Sequence, residues 1–175
     1  MMKEVLIVDG YNIIGAWSAL VELKKENLEL ARERLIDILK EYKAFTGREV
    51  IVVFDAHQTG SLGTSEKIGG VRVIYTNQNE TADEMIERLV YEAEKKKARI
   101  YVATSDYTEQ QVTFGGGALR ISANELQVLV KEAEKAIQEK IRDKTKNQQS
   151  KRTTVSDVLA PDVALILEKW RRKKD

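Results

Sequence analysis

The chain has no cysteine and a single histidine, His57. The first absence excludes disulfides, thiolate metal sites and cysteine nucleophiles. The second excludes a histidine-rich zinc site. A metal bound here must be held mostly by oxygen ligands, the preference of Mg²⁺ or Mn²⁺. One proline and ten glycines in 175 residues argue against a collagenous or linker-like chain. No apolar run approaches the roughly 20 residues that span a bilayer. The opening MMKEVLIVDG passes from a short apolar stretch straight into Asp and Gly, with no small-residue cleavage site. It reads as a buried strand rather than a signal peptide. A cytoplasmic protein without a membrane segment is expected.

What is present suits a globular enzyme. Hydrophobic residues make up 42% and charged residues 33% of the chain, enough apolar material for a core. Formal net charge is +1, but residues 131–175 hold 13 basic and 8 acidic side chains, against 16 and 20 in the preceding 130. An acidic body with a basic C-terminal third fits a protein that holds a cation at one place and a polyanion beside it. A solvated helix face accounts for the same charges.

Short β-branched runs fall at residues 4–8, 49–54, 71–75, 99–103 and 118–121. The first two are nearly continuous in Val and Ile, as in strands covered on both faces. Helical spacing of apolar residues fills the intervals. One pattern covers about 18–45 with a possible break at Glu26-Asn27 and a stop at Thr46-Gly47. A second covers about 81–97. A third opens at Ser122, with Glu125 three residues on as a capping-box signature, and runs to about Asp143. This alternation predicts a three-layer, doubly wound α/β fold with a mainly parallel sheet. Residues 57–70, rich in Gly, Ser and Thr, read as a mobile surface loop. Residues 144–153 lack any large apolar side chain and read as a linker. After Pro161, Val163, Ile166, Leu167 and Trp170 follow helical spacing and predict a final helix docked through Trp170. Residues 1–143 are thus read as the main domain, and 144–175 as a basic linker and C-terminal helical extension.

Acidic residues gather where strands end. Asp9 and Asn12 follow the first run, Asp55 the second, and Ser105-Asp106 the fourth. The third leads into Glu80 and Asp83 at the start of a helix. Ligands of an open parallel sheet bind beyond the strands' carboxyl ends, and carboxylates collected there repel unless they hold a cation. Each residue also has a plain structural role available. Asp9 before Gly10 suits a turn, Asn12 or Asp106 a helix cap, and Asp83 a helix dipole. Glu84 suits a capping box with Thr81, which leaves Asp83 as the better metal ligand. Asp55 and Glu80 are accessory candidates. Metal-assisted phosphodiester hydrolysis would place Mg²⁺ or Mn²⁺ among Asp9, Asp83 and Asp106. Lys67, Arg120, Lys151 and Arg152 are candidates for holding a phosphate backbone, and Tyr11, Tyr107 or Phe114 for stacking a base. A receiver- or phosphatase-type domain also places Asp at strand ends, but DGYN after the first strand lacks its D-x-D pair.

The ordered set VDGYN at 8–12, FDAH at 54–57, ETADEMIE at 80–87 and ATSD at 103–106 resembles the NYN domain of the PIN-like nuclease superfamily. FGGGALRISANEL at 114–126 and the basic C-terminal extension are most similar to its YacP-like branch. The resemblance covers about residues 3–170. It implies a metal-dependent endoribonuclease in which Asp9 is the first-strand metal ligand and Asn12 its polar companion. Asp83 is then the helix-borne acid, Asp106 the fourth-strand acid, and Ser105 the small hydroxyl before it. It further implies messenger RNA as substrate and the ribosome as partner. A catalytically inactive RNA- or ribosome-binding module is the competing expectation.

Overall fold

The structure, a computed structural model, describes residues 1–58, 63–105 and 117–157, with residue 58 and the last eight described through the backbone alone. Six strands form one sheet: β1 (Glu4–Asp9), β2 (Glu49–Phe54), β3 (Ser65–Ile68), β4 (Val71–Tyr75), β5 (Arg99–Ala103) and β6 (Leu119–Ile121), in the order β3-β4-β2-β1-β5-β6. Every pairing is parallel except β3 with β4. Five α-helices accompany it among the described residues: α1 (Gly10–Ala16), α2 (Ser18–Glu26), α3 (Leu28–Thr46), α4 (Ala82–Lys95) and α5 (Ala123–Asp157). The α/β, mainly parallel architecture is the one expected.

Strand β1 lies at the centre, with Ile7 opposite Ile51 of β2 and Val102 of β5. Its side chains alternate between two cores, as the twofold period of a strand requires. Leu6 and Val8 join Ile13, Ile14, Leu20, Leu35 and Leu39 of α1 to α3, together with Leu126 and Val130 of α5. Val5 and Ile7 join Met85, Ile86, Leu89 and Val90 of α4 on the other face. Burial on both faces is why β1 and β2 are almost wholly Val, Ile, Leu and Phe. Each such side chain, fully buried, contributes about 1.5–3 kcal/mol.

Local signals set the helix ends. Asn27 separates α2 from α3, and its side chain accepts from the backbone N–H of Glu29 at 2.8 Å. Gly47 ends α3 with φ +71°, a conformation that glycine adopts without a Cβ clash. Thr81 and Glu84 form a complete capping box on α4, and Ser122 with Glu125 does the same for α5. Trp17, between α1 and α2, donates its indole N–H to the carbonyl of Ala123 at 2.9 Å inside the core. A Trp17→Phe protein loses this hydrogen bond and part of a buried ring, a loss of about 1–3 kcal/mol. Urea unfolding with an unchanged slope and a lower midpoint is the expected record; an unchanged midpoint would contradict it.

Two expectations are corrected here. Residues 57–70 are not simply a loop: Ser65–Ile68 is an antiparallel edge strand joined to β4 through Gly69-Gly70, both at positive φ. Two glycines suit the tight turn of such a hairpin, and a polar edge strand lacks the apolar alternation by which buried strands are read. The third helix does not stop near Asp143, and residues 144–153 are helical, because α5 continues through Asp157. No Gly or Pro interrupts residues 123–157. Lys, Gln, Glu and Arg are good helix formers even where nothing apolar marks a buried face. Residues Met1–Glu134 form one compact unit and Lys135–Asp175 a second. The expected final helix around Trp170 lies outside the described residues.

Candidate active site

The chain leaves β1 to build β2 and β4 on one side and returns to place β5 on the other. The carboxyl end of β1 is therefore a topological switch point, where connections diverge and leave a crevice. Asp9 is the last residue of β1, only 5% exposed. The chain turns directly into α1, a helix the sequence pattern did not reveal, and this brings Asn12 back over Asp9. The Asn12 amide donates to Asp9 Oδ2 at 2.6 Å and to Thr104 Oγ1, just beyond β5, at 3.2 Å. Ser105 Oγ in turn donates to the Asn12 carbonyl at 3.2 Å. Asn12 thus fastens the ends of two neighbouring strands together and fixes one oxygen of a buried carboxylate.

Asp9, Tyr11, Asn12, Asp55, Thr81, Ala82 and Asp83 line one open cleft of about 310 Å³. Asp55 follows β2; its Oδ1 accepts from the His57 backbone N–H at 3.0 Å, an Asx turn that holds the carboxylate at the strand end. Asp83 enters from the first turn of α4, while Glu84 is occupied by the capping box. The expected pairing of Thr81 with Glu84 is the one observed. Below the cleft, Thr76 Oγ1 accepts from the Ala56 N–H at 3.0 Å, and Thr76 donates its own N–H to the Phe54 carbonyl. Both bonds tie the β2 and β4 ends together.

Other candidates lie elsewhere. Glu80 is turned to Arg88, with which it pairs at 2.8 Å, and accepts from Asn77. Lys67 stands on the edge strand β3, over a depression shared with Lys3, Lys43 and Arg72. Arg120 lies on β6 at the opposite edge, beside Leu119 and Val128. Lys151 and Arg152 lie in α5, where only the backbone is described. Asp106, Tyr107 and Phe114 lie outside the described residues.

The donors of the cleft are oxygens throughout, the chemistry that suits a hard divalent cation. Among the described residues no three carboxylate or imidazole groups draw together into a metal cage. Magnesium commonly takes only one or two protein carboxylates and keeps several waters, so Asp9 with Asp55 or Asp83 is a donor set it can use.

Beside the acids stands an aromatic row. Tyr11 and Phe54 have ring centroids 5.2 Å apart, and Phe54 and Tyr75 5.6 Å. Burial pushes both tyrosine phenols above their usual value, and Arg32 opposes it. Arg32 and Thr104 are site residues that the sequence pattern did not single out. A polar residue after a strand is a weak signal for Thr104. For Arg32, one charge among many on a long helix, there was none.

An open, doubly wound sheet with carboxylates gathered at its switch point defines an α/β domain with an acidic ligand cleft. Residues 6–172 match the YacP-like NYN domain. A protein of Bacillus subtilis (strain 168), the uncharacterized protein YacP, is 45% identical over 169 residues, 97% of each chain. The crystal structure of Rae1 (YacP) from Bacillus subtilis matches with a TM-score of 0.73 at 45% identity, covering 97% of this chain and 95% of that one. A tryptophan-to-leucine variant of it matches with a TM-score of 0.70 at 48% identity, over 82% and 84%. The chain belongs to the YacP-like NYN family. Among its described residues no helix is long and apolar enough to cross a membrane.

Proposed function

We propose that the protein is a metal-dependent endoribonuclease that cuts messenger RNA in association with the ribosome. The observation that carries this reading is Asp9, a buried carboxylate oriented by Asn12 at the switch point and sharing its cleft with Asp55 and Asp83. Membership of a nuclease-type family supports it. A bound Mg²⁺ or Mn²⁺ supplies Lewis acidity toward a phosphodiester and a water of lowered pKa. Asp9 and Asp83 are the residues that would hold it, with Asp106 as third acid and Asp55 as accessory. Asn12 keeps the Asp9 carboxylate in one orientation and, through Thr104 and Ser105, keeps the β1 and β5 ends in register. A ligand held this way loses no free energy to reorientation when substrate arrives.

The excess of basic residues in 131–175 supports contact with RNA beyond the cleft, such as ribosomal RNA. Such contacts confer affinity without sequence choice.

The test is cleavage of an end-labelled messenger RNA with and without translating ribosomes, in Mg²⁺ and in excess EDTA. Cuts that need the metal are expected, and a need for ribosomes identifies the partner. RNA or ribosome binding without cleavage under any condition would replace the nuclease with a binding module.

A further inference from the structure

The row Tyr11–Phe54–Tyr75 runs along the carboxyl ends of β1, β2 and β4, starting inside the acidic cleft. Arg32, partly buried on α3, closes it from one side. Its Nη1 donates to the Tyr11 hydroxyl at 3.2 Å, and its charge also acts on the Tyr75 hydroxyl. Gly10 lies against the Phe54 ring, so the rings cannot slide. The guanidinium is thereby held at the hydroxyl of Tyr11, a residue that lines the cleft.

Arg48, Arg88 and Arg99 each reach a carboxylate, of Glu4, Glu80 and Glu4 respectively. Among the described residues Arg32 forms no ion pair, and its guanidinium meets the Tyr11 phenol oxygen instead. The Tyr11 and Tyr75 phenols stay neutral, since burial raises them. Tyr11 therefore accepts from Arg32 without cancelling its charge, and Tyr75 places no negative charge beside it. A guanidinium has five donors, so some remain for a ligand. Each phenol also keeps its own proton to donate.

A planar guanidinium outside any ion pair favours a bidentate oxyanion such as a phosphodiester. A nuclease cleft rimmed by carboxylates repels the RNA backbone on either side of the cut, and a cation fixed beside it offsets that repulsion. We infer that Arg32, with the Tyr11 and Tyr75 hydroxyls, forms a subsite for an RNA backbone phosphate next to the scissile one. This rests on the nuclease reading for its substrate but not for its test.

The probe is a 5′-fluorescein-labelled 12-nucleotide oligouridylate. Its binding to full-length Asp9→Asn protein is followed by anisotropy from 50 to 200 mM KCl. Adding Arg32→Gln is expected to weaken binding by about 10- to 100-fold, the range for a hydrogen bond to a charged group. It should also make the slope of log K against log salt shallower by about 0.7, the value for one single-strand phosphate contact. Arg32→Lys should keep the slope and lose part of the affinity, because it keeps the charge and loses the fork. Tyr75→Phe should weaken binding with the slope kept. A residue that merely supports the fold would change the melting temperature and leave the slope alone. That result, or a parent protein that does not bind the oligomer, overturns the inference. If the slope responds and no cleavage occurs in the messenger RNA assay, the nuclease reading fails and the phosphate subsite stands. If cleavage is metal-dependent and the slope is unmoved, only the subsite fails.

Discussion

Asp9→Asn protein should cleave RNA about 10³-fold more slowly than the parent while melting at the same temperature or slightly higher. A metal's contribution to stabilising charge in a phosphodiester transition state is several kcal/mol. At about 1.4 kcal/mol for each factor of ten, losing most of it costs about three orders of magnitude. The fold has little reason to suffer. Asn has nearly the same shape as Asp, and its side-chain oxygen can still accept from the Asn12 amide, now 2.6 Å from Asp9 Oδ2. The exchange also removes a charge from a position only 5% exposed, where keeping an ion out of water is costly. A site that becomes more stable when its charge is removed is one retained for chemistry at some expense of stability. Single-turnover cleavage and a thermal melt on the same preparation measure both halves. Cleavage at the parent's rate in Mg²⁺ would remove Asp9 from the mechanism.

Gly10→Ala is expected to cost about 1–3 kcal/mol, the usual penalty for overpacking a tight interior. A methyl group on Gly10 would overlap the Phe54 ring, and that ring is fully buried between Tyr11 and Tyr75. For a chain of this size each kcal/mol moves the melting temperature by about 2–4 °C, so a fall of about 3–10 °C should be seen. Catalysis should fall further than stability, because Gly10 lies between Asp9 and Tyr11 and any backbone shift displaces both. Phe54→Leu in the same protein makes room for the methyl. The double variant should lose less stability than the two single effects summed, the sign of a direct contact. Strict additivity, or a single variant as stable as the parent, would show that the ring yields freely.

The carboxylates were legible because a buried parallel strand is almost purely apolar, so the first acid after it marks the strand end. Asp9 and Asp55 announced themselves in this way, and the capping box at Thr81 and Glu84 separated Asp83 from its neighbour. Glu80 looked equivalent to Asp83 in the sequence. Its side chain is engaged by Arg88 eight residues on, a choice made by side-chain packing. The hairpin strand β3 was hidden for a different reason. Its residues are exposed, so nothing in SEKI records the pairing with β4, and only Gly69-Gly70 hinted at a turn.

The sequence by itself determined the parallel α/β class, the helix stops at Asn27 and Gly47, and the acids available at the strand ends. These are local properties, set by apolar periodicity, capping side chains and glycine's freedom at positive φ. Only the tertiary structure decided which of those residues meet. Strand order brought Thr104 and Ser105, 92 and 93 residues beyond Asn12, to its side. The packing of α3 carried Arg32 to the hydroxyl of Tyr11. Such contacts depend on which strand lies next to which and on how a helix is rotated over the sheet. Those are decided by burying many side chains at once, so no short stretch of sequence carries them.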